Sequence, residues 1–378
     1  MRGLMMDYPL TLAPLLERAG RLFGGQEIAS KMPEGLHRYT YADFHRRTHR
    51  LAHALERLGV RPGDRVGTLC WNSFRHLELY FGVTCYGAVL HTLNVRLAPD
   101  QLAYIINHAA DTVIFVDASL ATVLDPLRGQ IPQVRRFVIL PDVAAETPLD
   151  SASDYEALLA ESPDRAFAWP ALEETAAAAM CYTSGTTGNP KGVLYTHRAI
   201  VLHTLALAMA DSFAISERDT VLQVVPMFHA NGWGVPFTAV MSGARIVFCG
   251  RQLQPVDVAA LIQNHRVTFT AGVPTIWIGL YGFLETEKYD LSSLRAVSVA
   301  GSAMPRQFVE WYEKKYGLRF LLAWGMTETS PIATVTTLKT HLDALPDKDR
   351  YDLMARHGLP LPGVDVRIVD GLGQELPW

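Results

Sequence analysis

The sequence is poor in cysteine. Its four, Cys70, Cys85, Cys181 and Cys249, show no CxxC spacing, which argues against a zinc ribbon or a disulfide framework. In a chain of this length they read as reduced, buried thiols of a cytoplasmic protein. Positive charge is not in excess. With 34 Lys and Arg against 38 Asp and Glu, the net charge is −4, so there is no basic footprint for nucleic acid. The opening MRGLMMDYPLTLAPLLERAG has no long apolar core and no clear cleavage site, so no secretory leader is expected. Long apolar runs are also lacking. An uncharged run of membrane length, Val267 to Leu284, is broken by Gly272, Pro274, Gly279 and Gly282. It reads as a buried strand and a helix opening at Pro274, which leaves only peripheral membrane contact. There is no G-x4-G-K-[ST] phosphate loop and no GxGxxG after a strand.

What is present is alternation. Thr40 is an N-cap for YADFHRRTHRLAHALERLGV. Short apolar runs (DRVGTLCW, VLHTLN, TVIFVDA, RRFVIL) then alternate with amphipathic segments such as APDQLAYIINHAA. This predicts parallel βαβ units and an α/β fold. Residues 141–172 are weakly patterned and read as a surface connection. The alternation resumes with DTVLQVVP, ARIVFCG, TFTAGV, RAVSVAGS and RFLLAWG as strands. The expected division is a first wound region over 1–180, a second over 181–335, and the start of a small antiparallel β subdomain over 336–378.

Between the two regions lies YTSGTTGNPKG, Tyr182 to Gly192. Thr183 to Gly188 are all Gly, Ser or Thr. Glycine lets a backbone approach an anion and aim N–H groups at it, hydroxyls add donors, and Lys191 adds charge. The loop reads as a phosphate cradle.

YTSGTTGNPKG followed by VLYTHR, with GMTET much later, resembles the adenylate-forming superfamily of acyl-CoA synthetases, luciferases and peptide-synthetase adenylation domains. The resemblance spans nearly the whole chain. It implies a large N-terminal domain of two wound, mostly parallel sheets flanked by helices. It also implies that Thr183, Ser184, Gly185, Thr186, Thr187, Gly188 and Lys191 grip the β- and γ-phosphates of ATP. Thr183 and Glu328 would help hold Mg²⁺, an ion that prefers a few hard oxygen ligands. Gly301, Ser302 and Ala303 would line the adenine site. In AWGMTET, which includes Ala323, Gly325 and Met326, Trp324 would stack on the base and Thr327 would reach the α-phosphate.

VVPMFHANGWGVPF, Val224 to Phe237, is the third signature. By resemblance its aromatic–His pair, Phe228 and His229, borders the carboxylate being activated, with His229 shaping and polarising that end rather than acting as a base. Ala230, Gly232, Trp233 and Gly234 would border the acid. None of these residues is charged. A buried ammonium without a partner would cost several kcal/mol, so an amino acid is disfavoured. The passage looks most like bacterial medium- and long-chain fatty-acyl-CoA ligases, in some of which a Trp at the place of Trp233 borders the acyl tunnel.

The implied chemistry has two steps. The fatty acid and ATP give acyl-AMP and pyrophosphate, and CoA then displaces AMP. Lys191, His229, Thr183 and Glu328 would carry catalysis by positioning and charge neutralisation. Relatives of this kind continue past the place of Trp378 with a ribose-binding Asp, a hinge and a lid Lys. The expectation is therefore an N-terminal domain whose C-terminal lid is absent and whose activity is impaired. A homodimer is expected, also by resemblance. Two other readings stay open: a ligase for a short, sulfur-bearing or aryl acid, and a non-catalytic nucleotide- or acyl-adenylate-binding module.

Overall fold

The computed structural model describes residues 3–143, 148–149, 151–183 and 188–377. Two sheets organise them. Along the seven-stranded sheet the strands run Ser153–Asp154, Arg136–Leu140, Asp111–Asp117, Arg65–Leu69, Val89–Thr92, Ala177–Tyr182 and Gly192–Thr196. Every pairing is parallel except the last. The nine-stranded sheet runs Leu359–Pro360, Ile332–Val335, Arg319–Gly325, Ala296–Val299, Phe269–Gly272, Thr220–Gln223, Arg245–Phe248, Glu27–Met32 and Gly35–Thr40. Its middle is parallel and both ends are antiparallel. The central strands, such as Val89–Thr92, Phe269–Gly272 and Ala296–Val299, are buried at every position. That is the pattern of strands covered on both faces.

The sheets do not divide at residue 180. The N-terminal hairpin joins the nine-stranded sheet, with Ile28 opposite Ile246. Ala177–Tyr182 and Gly192–Thr196 belong to the seven-stranded sheet. Near the C-terminus, Leu359–Pro360 extends the nine-stranded sheet by pairing with Thr334 and Val335. Beyond it one bridge, Val369 to Glu375, closes a turn. The weakly patterned 141–172 stretch contains a short helix, Tyr155–Ala160, capped by Asp154 and anchored by fully buried Tyr155.

The Thr40 cap is present as a capping box with Asp43 at the head of the helix Tyr41–Arg57. The uncharged run resolves into the strand Phe269–Gly272 and the helix Pro274–Leu284. Among the described residues, no helix is long and apolar enough to cross a membrane. The helix Phe74–Tyr86 is buried at every position but Arg75 and touches strands of both sheets. A helix buried on nearly every face needs such an interior place, and its buried Glu78 is paired with Arg47 there.

Candidate functional site

The C-terminal ends of strands from both sheets point at one region, where ligands bind in open α/β sheets. Two chambers lie there. One, of about 490 Å³, is lined by Thr183, Gly188, Asn189, Lys191 and Glu328 among others. The second, of about 470 Å³, is lined by Val224, Val225, Trp233, Leu253, Val273 and Ile276 among others. Both sizes suit small-molecule sites, which run about 300–1,000 Å³. Asn94, Phe228, His229, Met326 and Thr327 belong to both linings, so these residues form the wall between a polar and an apolar chamber.

The polar chamber is built on the Gly-rich loop. Its neck is closed by Thr183 N–H donating to Lys191 O at 3.0 Å and Lys191 N–H donating to Thr183 Oγ1 at 3.4 Å. Ser184, Gly185, Thr186 and Thr187 lie outside the described residues. Glu328 comes from the opposite side, on the turn Thr327–Thr329 that follows the strand Arg319–Gly325. The hydroxyl of Tyr195 donates to Thr327 O at 2.6 Å, and the N–H of Ile332 donates to His203 Nε2 at 3.1 Å. The groups lining this chamber include the hydroxyl of Thr183, the carboxylate of Glu328 and the ammonium of Lys191. That set fits magnesium with a polyphosphate, and it offers no thiolate for a softer metal.

The wall itself stands on the segment after Thr220–Gln223. His229 opens into the chambers while protein crowds its other sides. That desolvation, with the charge of Arg96 nearby, holds its pKa below the usual histidine value, so it is neutral at pH 7. Arg96 also lies 5.8 Å from the ring centre of Phe228.

Next comes a left-handed turn. Ala230, Asn231, Gly232, Trp233 and Gly234 have φ of 44°, 53°, 60°, 59° and 73°. For the non-glycine members this conformation costs of order 1 kcal/mol each. It directs Trp233 into the apolar chamber wall, where it is 5% exposed. Gly232 and Gly234 are not on that wall. A Cβ at Gly232 would stand 2.8 Å from Gln223 Nε2, and one at Gly234 would stand 2.6 Å from His203 Nδ1. Without side chains they let the turn pack closely against Gln223 and His203.

Gly301, Gly325, Met326 and Thr327 line the apolar chamber, and Gly301 sits beside Val273 and Trp233. Ser302, Ala303, Ala323 and Trp324 line neither chamber. Ala323 is fully buried, whereas Trp324 is 43% exposed, because the strand leaves the core after four consecutive buried residues, Phe320 to Ala323. Phe228, His229, Ala230 and Trp233 do come together. Sequence reasoning missed Asn94, Arg96, Leu253 and Ile276. The first two could have been found, because they follow the strand Val89–Thr92 at its C-terminal end.

One other His and carboxylate cluster exists among the described residues: Glu17, His45 and His49. Its hydrogen bonds explain it without a metal. Phe167 N–H donates to His49 Nδ1 at 2.9 Å, which leaves the His49 proton on Nε2, facing Glu17 at 3.1 Å. Glu17 thus gathers N–H groups from His45, His49 and Trp169, which hold its carboxyl well below the usual range.

The AMP-binding enzyme family matches residues 16–378. A long-chain-fatty-acid–CoA ligase of Thermus thermophilus is 45% identical over 374 residues, covering 99% of this chain and 68% of the relative. A 3-methylmercaptopropionyl-CoA ligase of Ruegeria lacuscaerulensis is 40% identical, covering 100% of this chain and 70% of the relative. Among solved structures, a long-chain-fatty-acid-CoA ligase from Archaeoglobus fulgidus superposes with a TM-score of 0.84 at 25% identity, covering 98% of this chain and 73% of that one.

Proposed function

Because the chain belongs to the AMP-binding enzyme family, we propose that it activates a medium- or long-chain fatty acid, first to acyl-AMP and then to acyl-CoA. The observation that carries this reading is the shared wall. A polyphosphate in the polar chamber and an aliphatic chain in the apolar one would bring the α-phosphorus and the carboxylate together at Phe228–His229 and Met326–Thr327.

In this reading a carboxylate oxygen attacks the α-phosphorus, and the bond to the bridging oxygen of pyrophosphate breaks. The CoA thiol then attacks the acyl carbon, loses its proton, and AMP leaves. Lys191 draws negative charge off the phosphates, with Gly188 and Thr183 beside it. Neutral His229 orients the carboxylate end. Trp233, with Val224, Leu253 and Ile276, excludes water along the chain and so protects the mixed anhydride. Magnesium, held through Thr183 and Glu328, would neutralise phosphate charge. Gly301, Gly325 and Met326 flank the nucleoside. We further propose a cytoplasmic homodimer, which a monomeric mass in solution would refute.

The test is calorimetry with non-reactive acyl-sulfamoyl adenosines carrying acetyl, octanoyl, palmitoyl and phenylacetyl groups. Each buried methylene adds up to about 0.8 kcal/mol. Affinity that climbs at least to octanoyl supports the fatty-acid reading. Equal affinity throughout, or preference for phenylacetyl, replaces it. No binding of any of them overturns the activation reading. The Ruegeria relative favours a second reading, a short sulfur-bearing acid. It predicts that a 3-(methylthio)propionyl analogue binds more tightly than the octanoyl one.

A further inference from the structure

The segment Val224–His229 leaves the nine-stranded sheet after Thr220–Gln223 and lies outside any strand. Its buried peptide groups need partners. Some find them locally, as where Gln223 Nε2 donates to Val225 O at 2.7 Å, and others find them on side chains that arrive with the other sheet.

We propose that Asn72, Tyr80 and Thr92 form a three-point clamp that positions His229 and Phe228 for the reaction. The inference rests on the reading of the chamber wall as the reaction centre. Asn72 Oδ1 accepts from Met227 N at 2.7 Å. Its Nδ2 donates to Gln223 O at 3.0 Å and to Val225 O at 2.9 Å. The Tyr80 hydroxyl donates to Met227 O, and Thr92 Oγ1 donates to Phe228 O at 3.2 Å.

Asn72 follows the strand Arg65–Leu69, Thr92 ends Val89–Thr92, and Tyr80 sits on the helix between them. All three are buried: Asn72 is 4%, Thr92 2% and Tyr80 0% exposed. The Asn72 amide uses both donors and its acceptor on one segment, a pattern that neither Asp nor Leu can reproduce. Its own backbone O accepts from Gly250 N at 3.1 Å, so the clamp is itself tied to the end of Arg245–Phe248. Two successive carbonyls, those of Met227 and Phe228, are thereby fixed immediately before His229. A small rotation of either peptide would swing the imidazole away from the wall, and misplacements of this size matter to reactivity.

The test compares Asn72→Asp, Tyr80→Phe, Thr92→Val and Thr92→Ser, each alone and combined with His229→Ala. Binding of octanoyl-sulfamoyl adenosine and of AMP alone is measured well below each variant's melting temperature. The clamp predicts at least about a fivefold loss for the acyl analogue in the first three variants, with AMP moving less than about twofold. Thr92→Ser keeps the hydroxyl and stays near wild type. In the His229→Ala background the same substitutions cost little further, so the cycles are strongly non-additive. Equal losses for AMP and the analogue, or additivity with His229→Ala, overturn the clamp. If Asn72→Asp does not fold, Tyr80→Phe and Thr92→Val still decide. A wild-type protein that binds no acyl analogue refutes the activation reading instead, whereas wild-type binding with additive variants refutes only the clamp.

Discussion

The phenol of Tyr195 donates a 2.6 Å hydrogen bond to the backbone oxygen of Thr327. Tyr195 lies on the edge strand that follows the Gly-rich loop, and Thr327 opens the turn that carries Glu328. One hydrogen bond therefore joins the two sides of the polar chamber across the two sheets. Tyr195→Phe should lower unfolding stability by about 1–2 kcal/mol, since it strips a partner from a carbonyl. It should also weaken Mg-ATP binding several-fold. Chemical denaturation and calorimetry check both. Lost stability with unchanged nucleotide affinity would make the bond purely structural.

Lys191 and Glu328 face the same chamber from opposite sides. Lys191→Ala should slow pyrophosphate release at least about tenfold, equivalent to about 1.4 kcal/mol of barrier. Glu328→Gln should raise the magnesium concentration needed for half-maximal release. A negligible effect of Lys191→Ala on nucleotide handling would leave the loop with a structural role only.

Gly325 and Gly282 predict opposite outcomes for the same substitution. A Cβ on Gly325 would fall 1.9 Å from the backbone O of Pro331, which cannot step aside, while nothing lies within 4 Å of one on Gly282. Gly325→Ala should cost more than about 3 kcal/mol, as backbone overpacking does. Gly282→Ala, in the helix Pro274–Leu284, should stabilise by about 0.5–1 kcal/mol. Urea midpoints of the two variants test the contrast.

Three buried histidines set a pH window. Burial pushes His76, His197 and His203 from 6.5 down to about 4. The unfolded chain takes up protons near pH 6.5, whereas the folded chain resists until about pH 4. Between those values the unfolded state binds more protons, so stability falls as pH falls. Each histidine contributes about 3 kcal/mol to that fall. His203→Gln should reduce the loss of stability between pH 7 and pH 4 by about 3 kcal/mol, measured as unfolding free energy across that range.

Much of the architecture was legible because it rests on local signals. Thr40, Pro274 and the all-apolar strands each announce their element without help from afar. The N-terminal hairpin did not, because the partner of Ile28 is Ile246, and no local pattern encodes a pairing over such a distance. The loop, His229 and Glu328 were found through their motifs, and Thr183, Lys191, His229 and Glu328 do share one chamber. The orientations of single residues were not found. Gly232 and Gly234 lie in five successive residues of left-handed backbone and face Gln223 and His203, and Trp324 sits at the exposed end of its strand. Asn72 escaped notice because a lone Asn after a strand carries no sequence signal. Its three hydrogen bonds exist only once both sheets are docked.

The wall of Phe228, His229, Met326 and Thr327 also sets how such a chain can diversify. Among the described residues, Thr183, Lys191 and Glu328 lie on one side of it, and Val224, Leu253 and Ile276 lie on the other. Exchanges at Val224, Leu253 or Ile276 can reshape the apolar side without touching Thr183, Lys191 or Glu328. In engineering terms the molecule is a fixed power supply with an interchangeable socket, and a new acid is reached by recutting the socket alone.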